Sequence, residues 1–236
     1  MERLDKVLAA TGRWSRSQAK ALVKGGRVLV DGRAAVRAED KVPEEAVVTV
    51  DGHPIRTART VWLMLHKPQG VVSSTEDPRE RTVLSLLPPE LRRIGLFPVG
   101  RLDKDTEGLL LLTNDGAAAH RLRSPGRHVD KVYYAEVDGA LTPEDAAAFA
   151  AGLTLRDGTV CRPAGLTIGD APDRCLVTLC EGKYHQVKRM LAARGKPVRH
   201  LKRLSMGPLT LDPTLPLGAW RPLAPAEVAL LEGGRS

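Results

Sequence analysis

A run of four leucines, residues 109–112, constrains the fold of this chain more than any other feature. A short, uniformly apolar run predicts a strand that is covered on both faces. The polar segment before it carries five charged residues: Arg101, Asp103, Lys104, Asp105 and Glu107. A charged loop at the edge of a core strand can hold a reactive group rigidly. From spacing alone a solvated turn that closes a hairpin is the more frequent outcome, so both interpretations stay open.

Basic residues are concentrated in two segments. The chain has 36 Lys and Arg against 28 Asp and Glu, a net charge of +8. Residues 1–37 hold nine basic and three acidic side chains, and residues 182–203 hold eight basic and no acidic ones. Net positive charge alone is also compatible with a basic enzyme that has no nucleic-acid partner. The clustering favours nucleic acid.

Other signals exclude several classes of protein. The three cysteines, Cys161, Cys175 and Cys180, form no CxxC pair, and the six histidines are scattered, so neither a disulfide framework nor a metal site is predicted. A phosphate loop and a dinucleotide fingerprint are also missing from the sequence, and we expect no cofactor. No apolar stretch suits a signal peptide or a membrane span, so we expect a cytoplasmic protein without a membrane partner.

Two short helices are predicted at the start of the chain. Apolar spacing at positions 4, 7, 8 and 11 predicts an amphipathic helix that ends near Gly12. A second helix begins at Ser15, where Gln18 completes a capping box, and ends at Gly25. Its buried side is expected to be Ala19, Leu22 and Val23.

The outer face of the second helix is expected to be basic. Arg16, Lys20 and Lys24 are spaced by four and therefore line one face. The stripe leads into Arg27, which favours a phosphate-contacting surface over a merely solvated helix face. Short strands follow, from 28–30 through a turn at residues 31–32 to residue 50, in the pattern of hairpins.

The rest of the chain predicts a larger second domain. Residues 51–60 are polar and contain Gly52 and Pro54, as is typical of a linker. Residues 61–232 mix strands with helices that do not alternate regularly, which indicates an α+β fold on a mainly antiparallel sheet. Strands are predicted at 61–65, 109–113, 132–137 and 175–180, and helices from 142 and over about 184–194.

The first fifty residues resemble a known RNA-binding module. The order RLDKVLAATGRWSRSQAKALVKGGRVLVDG is similar to the small domain first described in ribosomal protein S-four. This resemblance implies a compact α/β module over residues 1–50 that presents its basic face to structured RNA.

Most of the chain resembles one enzyme family. The segment GRLDKDTEGLLLLTNDG, residues 100–116, is similar to the central motif of the RsuA-type ribosomal RNA pseudouridine synthases. Residues 67–70 resemble the family's first motif, which is mostly structural. Residues 131–133 resemble its tyrosine-bearing strand, and residues 181–190 its third motif. The resemblance implies a cofactor-free isomerase that acts on a uridine of ribosomal RNA.

The same resemblance assigns roles to three residues. Asp103 is expected to be the catalytic carboxylate, acting as nucleophile or as base, and Lys188 the cation that keeps it ionised. Tyr133 is expected to stack on the target base after it leaves its helix. A surface lysine and a core tyrosine are the alternatives for the last two. His185 and Gln186 are expected to have a polar packing role.

RNA contacts are expected from seven basic residues: Arg16, Lys20, Lys24, Arg27, Arg101, Lys183 and Arg189. Most of these are interpreted as contacts to backbone phosphate, which carry no sequence information. For Arg101 an ion pair with Asp105 or Glu107 is an equal alternative.

The expected substrate is a specific uridine of 16S ribosomal RNA, either in free RNA or within a partly assembled small subunit. Residues 184–190 and the C-terminal segment are most similar to the small-subunit enzymes of the family. One alternative is the same reaction on 23S RNA. Another is a non-catalytic RNA-binding factor of ribosome assembly. We expect a monomer.

Overall fold

A computed structural model describes residues 1–11, 13–43, 46–55, 60–123 and 129–232. The chain divides into two compact units. The first comprises Met1–Val61, Leu87–Phe97 and Thr113–Asp115, and the second comprises Trp62–Leu86, Pro98–Leu112 and Gly116–Ser236. Helices and strands are mixed without regular alternation, which confirms the predicted α+β class.

Short elements make up the N-terminal part of the first unit. They are β1 (Glu2–Arg3), α1 (Leu4–Ala10), α2 (Arg16–Lys24), β2 (Val28–Val30), β3 (Arg33–Ala34), β4 (Lys41–Val42), β5 (Val48–Val50) and β6 (His53–Pro54). The strands form a sheet in the order β3-β2-β5-β6 and a separate β1-β4 pair. One apolar cluster, which includes Leu4, Leu8 and Val28, holds these elements together.

Helix α2 follows the sequence prediction closely. The Ser15 side chain accepts from the backbone N–H of Gln18, and the Gln18 side chain accepts from the N–H of Ser15, so the predicted capping box is present. Its buried residues are the predicted Ala19, Leu22 and Val23. Helix α1 ends at Ala10, and Gly12, where its end was predicted, lies outside the described residues.

Two tight turns join the hairpins of this sheet. Asp31 and Gly32 have φ of 48° and 78°, and Asp51 and Gly52 have 53° and 77°. These left-handed pairs match the twist of two-residue hairpins. Residues 51–55, predicted as linker, therefore belong to the β5–β6 hairpin, and Ile55 lies in the apolar cluster. Turn residues and linker residues are equally polar, so polarity alone does not separate this hairpin from a linker. Residues 56–59 lie outside the described residues.

The elements from residue 62 onward begin with a buried strand. They are β7 (Trp62–Lys67), a 3₁₀ turn (Val83–Leu86), α3 (Pro89–Arg93), β8 (Phe97–Pro98), β9 (Glu107–Thr113), α4 (Gly116–Arg123), β10 (Lys131–Val137), α5 (Pro143–Ala151), β11 (Leu153–Thr154), β12 (Val160–Cys161), β13 (Gly165–Ile168), β14 (Arg174–Leu179), α6 (Gln186–Ala193), β15 (Val198–Met206), β16 (Leu209–Thr210), β17 (Trp220–Pro222) and α7 (Pro225–Glu232). None of the described helices is long and apolar enough to cross a membrane.

A nine-stranded sheet organises these elements. Its order is β13-β14-β10-β15-β9-β7-β17, with β16 paired to β15 and β8 to β9. The pairs β13–β14, β14–β10, β10–β15 and β7–β17 are antiparallel, whereas β15 and β9 run parallel. Strand β9 carries the four leucines, all fully buried, as their apolar run predicts.

Gly108 allows β9 to approach β15 closely. It pairs with Arg203 across the parallel ladder and has φ of +107°. A Cβ atom at this position would lie 2.2 Å from the carbonyl oxygen of Arg203. Only glycine fits this backbone and this approach without strain. The sheet therefore depends on the glycine that precedes the leucine run.

Candidate active site

The loop that carries Asp103 lies between β8 and β9, and a buried lysine holds its backbone. Lys67, at the end of β7, is fully buried. Its ammonium donates to the carbonyl oxygens of Asp103 and Thr106 at 2.9 Å and of Pro68 at 3.0 Å. A lysine so enclosed cannot reach a macromolecular substrate. It fixes the shape of the loop.

Two further contacts fix the same loop. The Ser73 hydroxyl donates to the carbonyl oxygen of Leu102 at 2.8 Å and accepts from its N–H at 3.0 Å. The N–H of Gly70 donates to the carbonyl oxygen of Lys104 at 2.8 Å. Because these contacts are to the main chain, they hold the loop backbone without involving the side chains of the loop. The carboxylate of Asp103 is thus placed by residues 67–73.

The charge of Lys67 is sensitive to pH. Burial lowers the pKa of Lys67 to about 8. Nearby carboxylates partly offset the effect: Asp105, Asp103 and Glu107. Above pH 8 the folded chain releases a proton that the unfolded chain retains up to the ordinary pKa of 10.5, so this group's contribution to the free energy of unfolding rises with pH. Deprotonation also reduces the N–H donors of Lys67 from three to two.

Helix α6 brings a cation to the Asp103 carboxylate. Lys188 Nζ lies 3.1 Å from Asp103 Oδ2 and 2.5 Å from Asp105 Oδ1. Burial raises the pKa of Asp105, but the hydrogen bond and charge of Lys188 outweigh it and leave that pKa below its ordinary value. The side chains of Asp103 and Lys188 are 27% and 20% exposed. The structure therefore joins these two predicted residues in a half-buried ion pair.

His185 also contacts Asp103, which the sequence analysis missed. Its Nε2 lies 3.4 Å from Asp103 Oδ1, and its ring stacks on Tyr184 with centroids 3.8 Å apart. His185 has φ of 47° and caps α6, so the helix begins at Gln186 rather than at the predicted Tyr184. Its spacing from Lys188, i to i+3, was the signal that could have placed both on one helix face.

Gln186 has the packing role predicted for it. It is 4% exposed, and its side chain accepts from the N–H of Lys183 and donates to Glu181. These bonds fasten the turn before α6 to the helix. Gln186 therefore supports the segment that carries His185 and Lys188.

The two adjacent tyrosines of β10 face opposite sides of the sheet, as their alternation predicts. Tyr133 is 9% exposed and lies opposite Val177 and Arg203 in the neighbouring strands. Tyr134 donates from its hydroxyl to Glu136 at 2.7 Å. Among the described residues, no hydrogen bond joins Tyr133 to Asp103, Lys188 or His185.

The basic residues of α2 and the following Arg27 are exposed, but they differ in their ion-pair partners. Lys20 Nζ lies 3.2 Å from Glu39. Arg27 forms a two-pronged ion pair with Asp51, with Nε at 2.8 Å and Nη2 at 2.5 Å from the carboxylate oxygens. Within the described part of the chain, Arg16 and Lys24 have no ion pair within 4.0 Å. These two are the most available for phosphate.

The predicted RNA contacts of the second unit also divide into two groups. Lys183 pairs with Glu181 at 3.7 Å, and Arg189 pairs with Asp157 at 2.5 Å. Arg101 is exposed and has no ion pair in the described ranges. Its alternative partners are engaged elsewhere, since Asp105 contacts Lys188 and Glu107 contacts His200 at 3.0 Å.

Comparison with known families matches both parts of the chain. Residues 61–193 match the family described as RNA pseudouridylate synthase, and residues 2–48 match the S4 domain. Each match covers the residues on which the sequence resemblance was based.

Several curated relatives are similar over nearly their full length. An uncharacterized RNA pseudouridine synthase of Bacillus subtilis, YtzG, is 47% identical over 97% of this chain and 98% of the relative. The ribosomal small subunit pseudouridine synthases A of Pseudomonas aeruginosa and Escherichia coli K12 are 44% and 41% identical, each over 96% of this chain and 98% of the relative.

A solved structure shares the whole architecture. The crystal structure of a pseudouridylate synthase, 35% identical, superimposes with a TM-score of 0.70 and covers 98% of this chain and all of that one.

Proposed function

The chain belongs to the RNA pseudouridylate synthase family, and from this premise we propose that it converts a specific uridine of 16S ribosomal RNA to pseudouridine with Asp103 as the catalytic carboxylate. The observation that carries the proposal is the position of Asp103 on a loop whose main chain is fixed by Lys67 and Ser73, with Lys188 at 3.1 Å. The relatives that are 41–44% identical and named as small-subunit enzymes support the choice of RNA.

The reaction needs one well-placed carboxylate. Pseudouridine formation breaks the bond between ribose and the ring nitrogen of uracil, turns the base and rejoins it through carbon. It has no net redox change and consumes no energy source. Asp103 either attacks the ribose or removes a proton from it, and both routes require its negative charge. A rigid loop keeps the carboxylate in line with the sugar while the base moves.

Lys188 supports that carboxylate electrostatically. A cation at 3.1 Å stabilises the negative charge of Asp103 in a half-buried site, where the interaction is stronger than in bulk water. Lys188 also contacts Asp105, so the two carboxylates share one ammonium. Withdrawal of Asp105 into solvent would leave the ammonium to Asp103 alone.

We propose that Tyr133 stacks on the target base. Tyr133 lies in β10 between β14 and β15 and is 9% exposed, and in this proposal a base that has left its helix stacks on the ring there. Replacement by phenylalanine should preserve turnover, and replacement by alanine should reduce it. Equal loss in both variants would assign the role to the hydroxyl instead.

The N-terminal S4 domain is proposed to bind structured ribosomal RNA through Arg16, Lys24 and their neighbours. Lys20 and Arg27 would exchange their carboxylate partners for phosphate, which weakens their expected contribution. We propose that this domain comprises residues 1–55 and the catalytic domain residues 61–232. The protein is proposed to act as a monomer in the cytoplasm, on free RNA or on a partly assembled small subunit.

Site mapping tests the proposal. Pseudouridines in both ribosomal RNAs are mapped in a deletion strain and in the same strain complemented with the wild-type gene or with Asp103→Asn. We expect one 16S site to disappear on deletion and to return only with the wild-type gene. A missing 23S site would move the substrate to the large subunit. No missing site in either RNA would refute the proposed function.

A further inference from the structure

One aromatic ring next to Asp103 is exposed. Tyr184 is 74% exposed, whereas Tyr133 is buried and Tyr134 is half-buried. Aromatic residues make up only 3% of this chain, so an exposed ring that stacks on a neighbour of Asp103 is unusual here. None of the roles proposed above is assigned to this residue.

The Tyr184 ring is held in a fixed relation to the catalytic loop. It lies 3.8 Å from the His185 ring with an interplanar angle of 18°, and His185 Nε2 lies 3.4 Å from Asp103 Oδ1. His185 adopts a left-handed conformation, which persists only where the surroundings maintain it. Since a stack covers one face of the tyrosine, its high exposure leaves the opposite face open.

Two basic side chains lie near Tyr184 in the chain, and each also pairs with a carboxylate: Lys183 with Glu181 and Arg189 with Asp157. Lys183 and Arg189 lie on the same turn and helix, and Arg189 Nη1 donates to the carbonyl oxygen of Tyr184 at 3.4 Å. A flat aromatic surface next to cations is the arrangement that binds single-stranded nucleic acid, with the ring stacking on a base and the cations facing phosphate.

We propose that Tyr184 and His185 form a stacking platform for a nucleobase that neighbours the target uridine. The inference rests on the proposed function and adds a second base-binding subsite to it. The open face of Tyr184 points away from His185, the residue that contacts Asp103. A base stacked there is too far from the carboxylate to react, so it belongs to an adjacent nucleotide. Stacking on it holds the RNA strand while the target base turns.

Kinetics on an RNA fragment that contains the mapped site test the platform. Tyr184→Ala should raise KM about 5- to 150-fold, the loss expected for one base–aromatic stack, with little change in kcat. Tyr184→Phe retains the ring and should restore KM. Leu230→Ala is the control, because Leu230 is an exposed apolar side chain on α7, to which no role is assigned. Unchanged thermal unfolding would exclude a structural effect of Tyr184→Ala.

Substrates that lack one base identify the occupant. Each nucleotide beside the target is replaced in turn by an abasic ribose. At one position the abasic ribose should raise the KM of the wild type by the same factor as Tyr184→Ala does. At that position it should not raise the KM of Tyr184→Ala any further. An unchanged KM for Tyr184→Ala would overturn the inference. So would KM increases from the abasic ribose and from Tyr184→Ala that multiply at every position. If the wild type forms no pseudouridine, the proposed function is wrong. The same comparison of Tyr184→Ala with the abasic RNAs, measured as the Kd for RNA binding, then decides for or against the platform.

Discussion

Replacement of Asp103 by asparagine removes one negative charge and barely changes the size of the side chain. The main-chain contacts from Lys67 and Ser73 do not involve that charge, so the loop should keep its shape. The ion pair with Lys188 is lost, and a half-exposed pair contributes about 0–1 kcal/mol to stability. Thermal unfolding should therefore shift by no more than about 4 °C.

Turnover should respond very differently. Without its carboxylate the enzyme loses the nucleophile or base, and the rate should fall about 10⁴-fold or more. RNA affinity should be unchanged or slightly higher, since one negative charge near phosphate is gone. The assay is single-turnover pseudouridine formation on the 16S fragment, with filter binding of the same RNA. Asp170→Asn, which changes an exposed carboxylate in the β13–β14 turn, is the matched control and should behave as wild type.

Two results would refute this reasoning. A near wild-type rate for Asp103→Asn would show that the carboxylate takes no part in the chemistry. Loss of RNA binding together with a large drop in unfolding temperature would show that Asp103 holds the loop in shape.

Three further predictions concern positions outside the Asp103 carboxylate. Raising pH through about 8 should reduce kcat as Lys67 loses its proton, without loss of thermal stability from that group. A pH–rate profile measured beside thermal unfolding curves checks this, and a parallel decline of kcat and of the unfolding temperature would contradict it. Gly108→Ala should destabilise the fold by about 3 kcal/mol in urea unfolding, because its Cβ would clash with Arg203; an unchanged midpoint would show that the strands can separate. Arg16→Gln with Lys24→Gln should weaken binding to specific and unrelated RNAs alike and flatten the salt dependence, and an unchanged slope would remove them from the RNA surface.

Local signals explain which elements could be predicted from the sequence. The capping box at Ser15, the apolar spacing of α2 and the leucine run of β9 act over a few residues, and all three have the predicted structure. Local polarity cannot distinguish a tight turn from a linker, and the structure places Asp51 and Gly52 in the turn of the β5–β6 hairpin.

The sequence by itself determined the elements with strong local signals, such as α2 and β9, the family, and the likeness that singles out Asp103, because motifs and periodicity are local patterns. Only the tertiary structure decided what surrounds that carboxylate. Lys67 reaches the main-chain carbonyl of Asp103 from β7, whereas Lys188 on α6 and His185 at its N-cap reach the carboxylate, across separations at which no periodicity operates. The parallel pairing of β9 with β15 is equally non-local and depends on the missing side chain of Gly108. Contacts of this kind form only when distant strands and helices pack, which is why sequence patterns alone left His185 and Tyr184 outside the site.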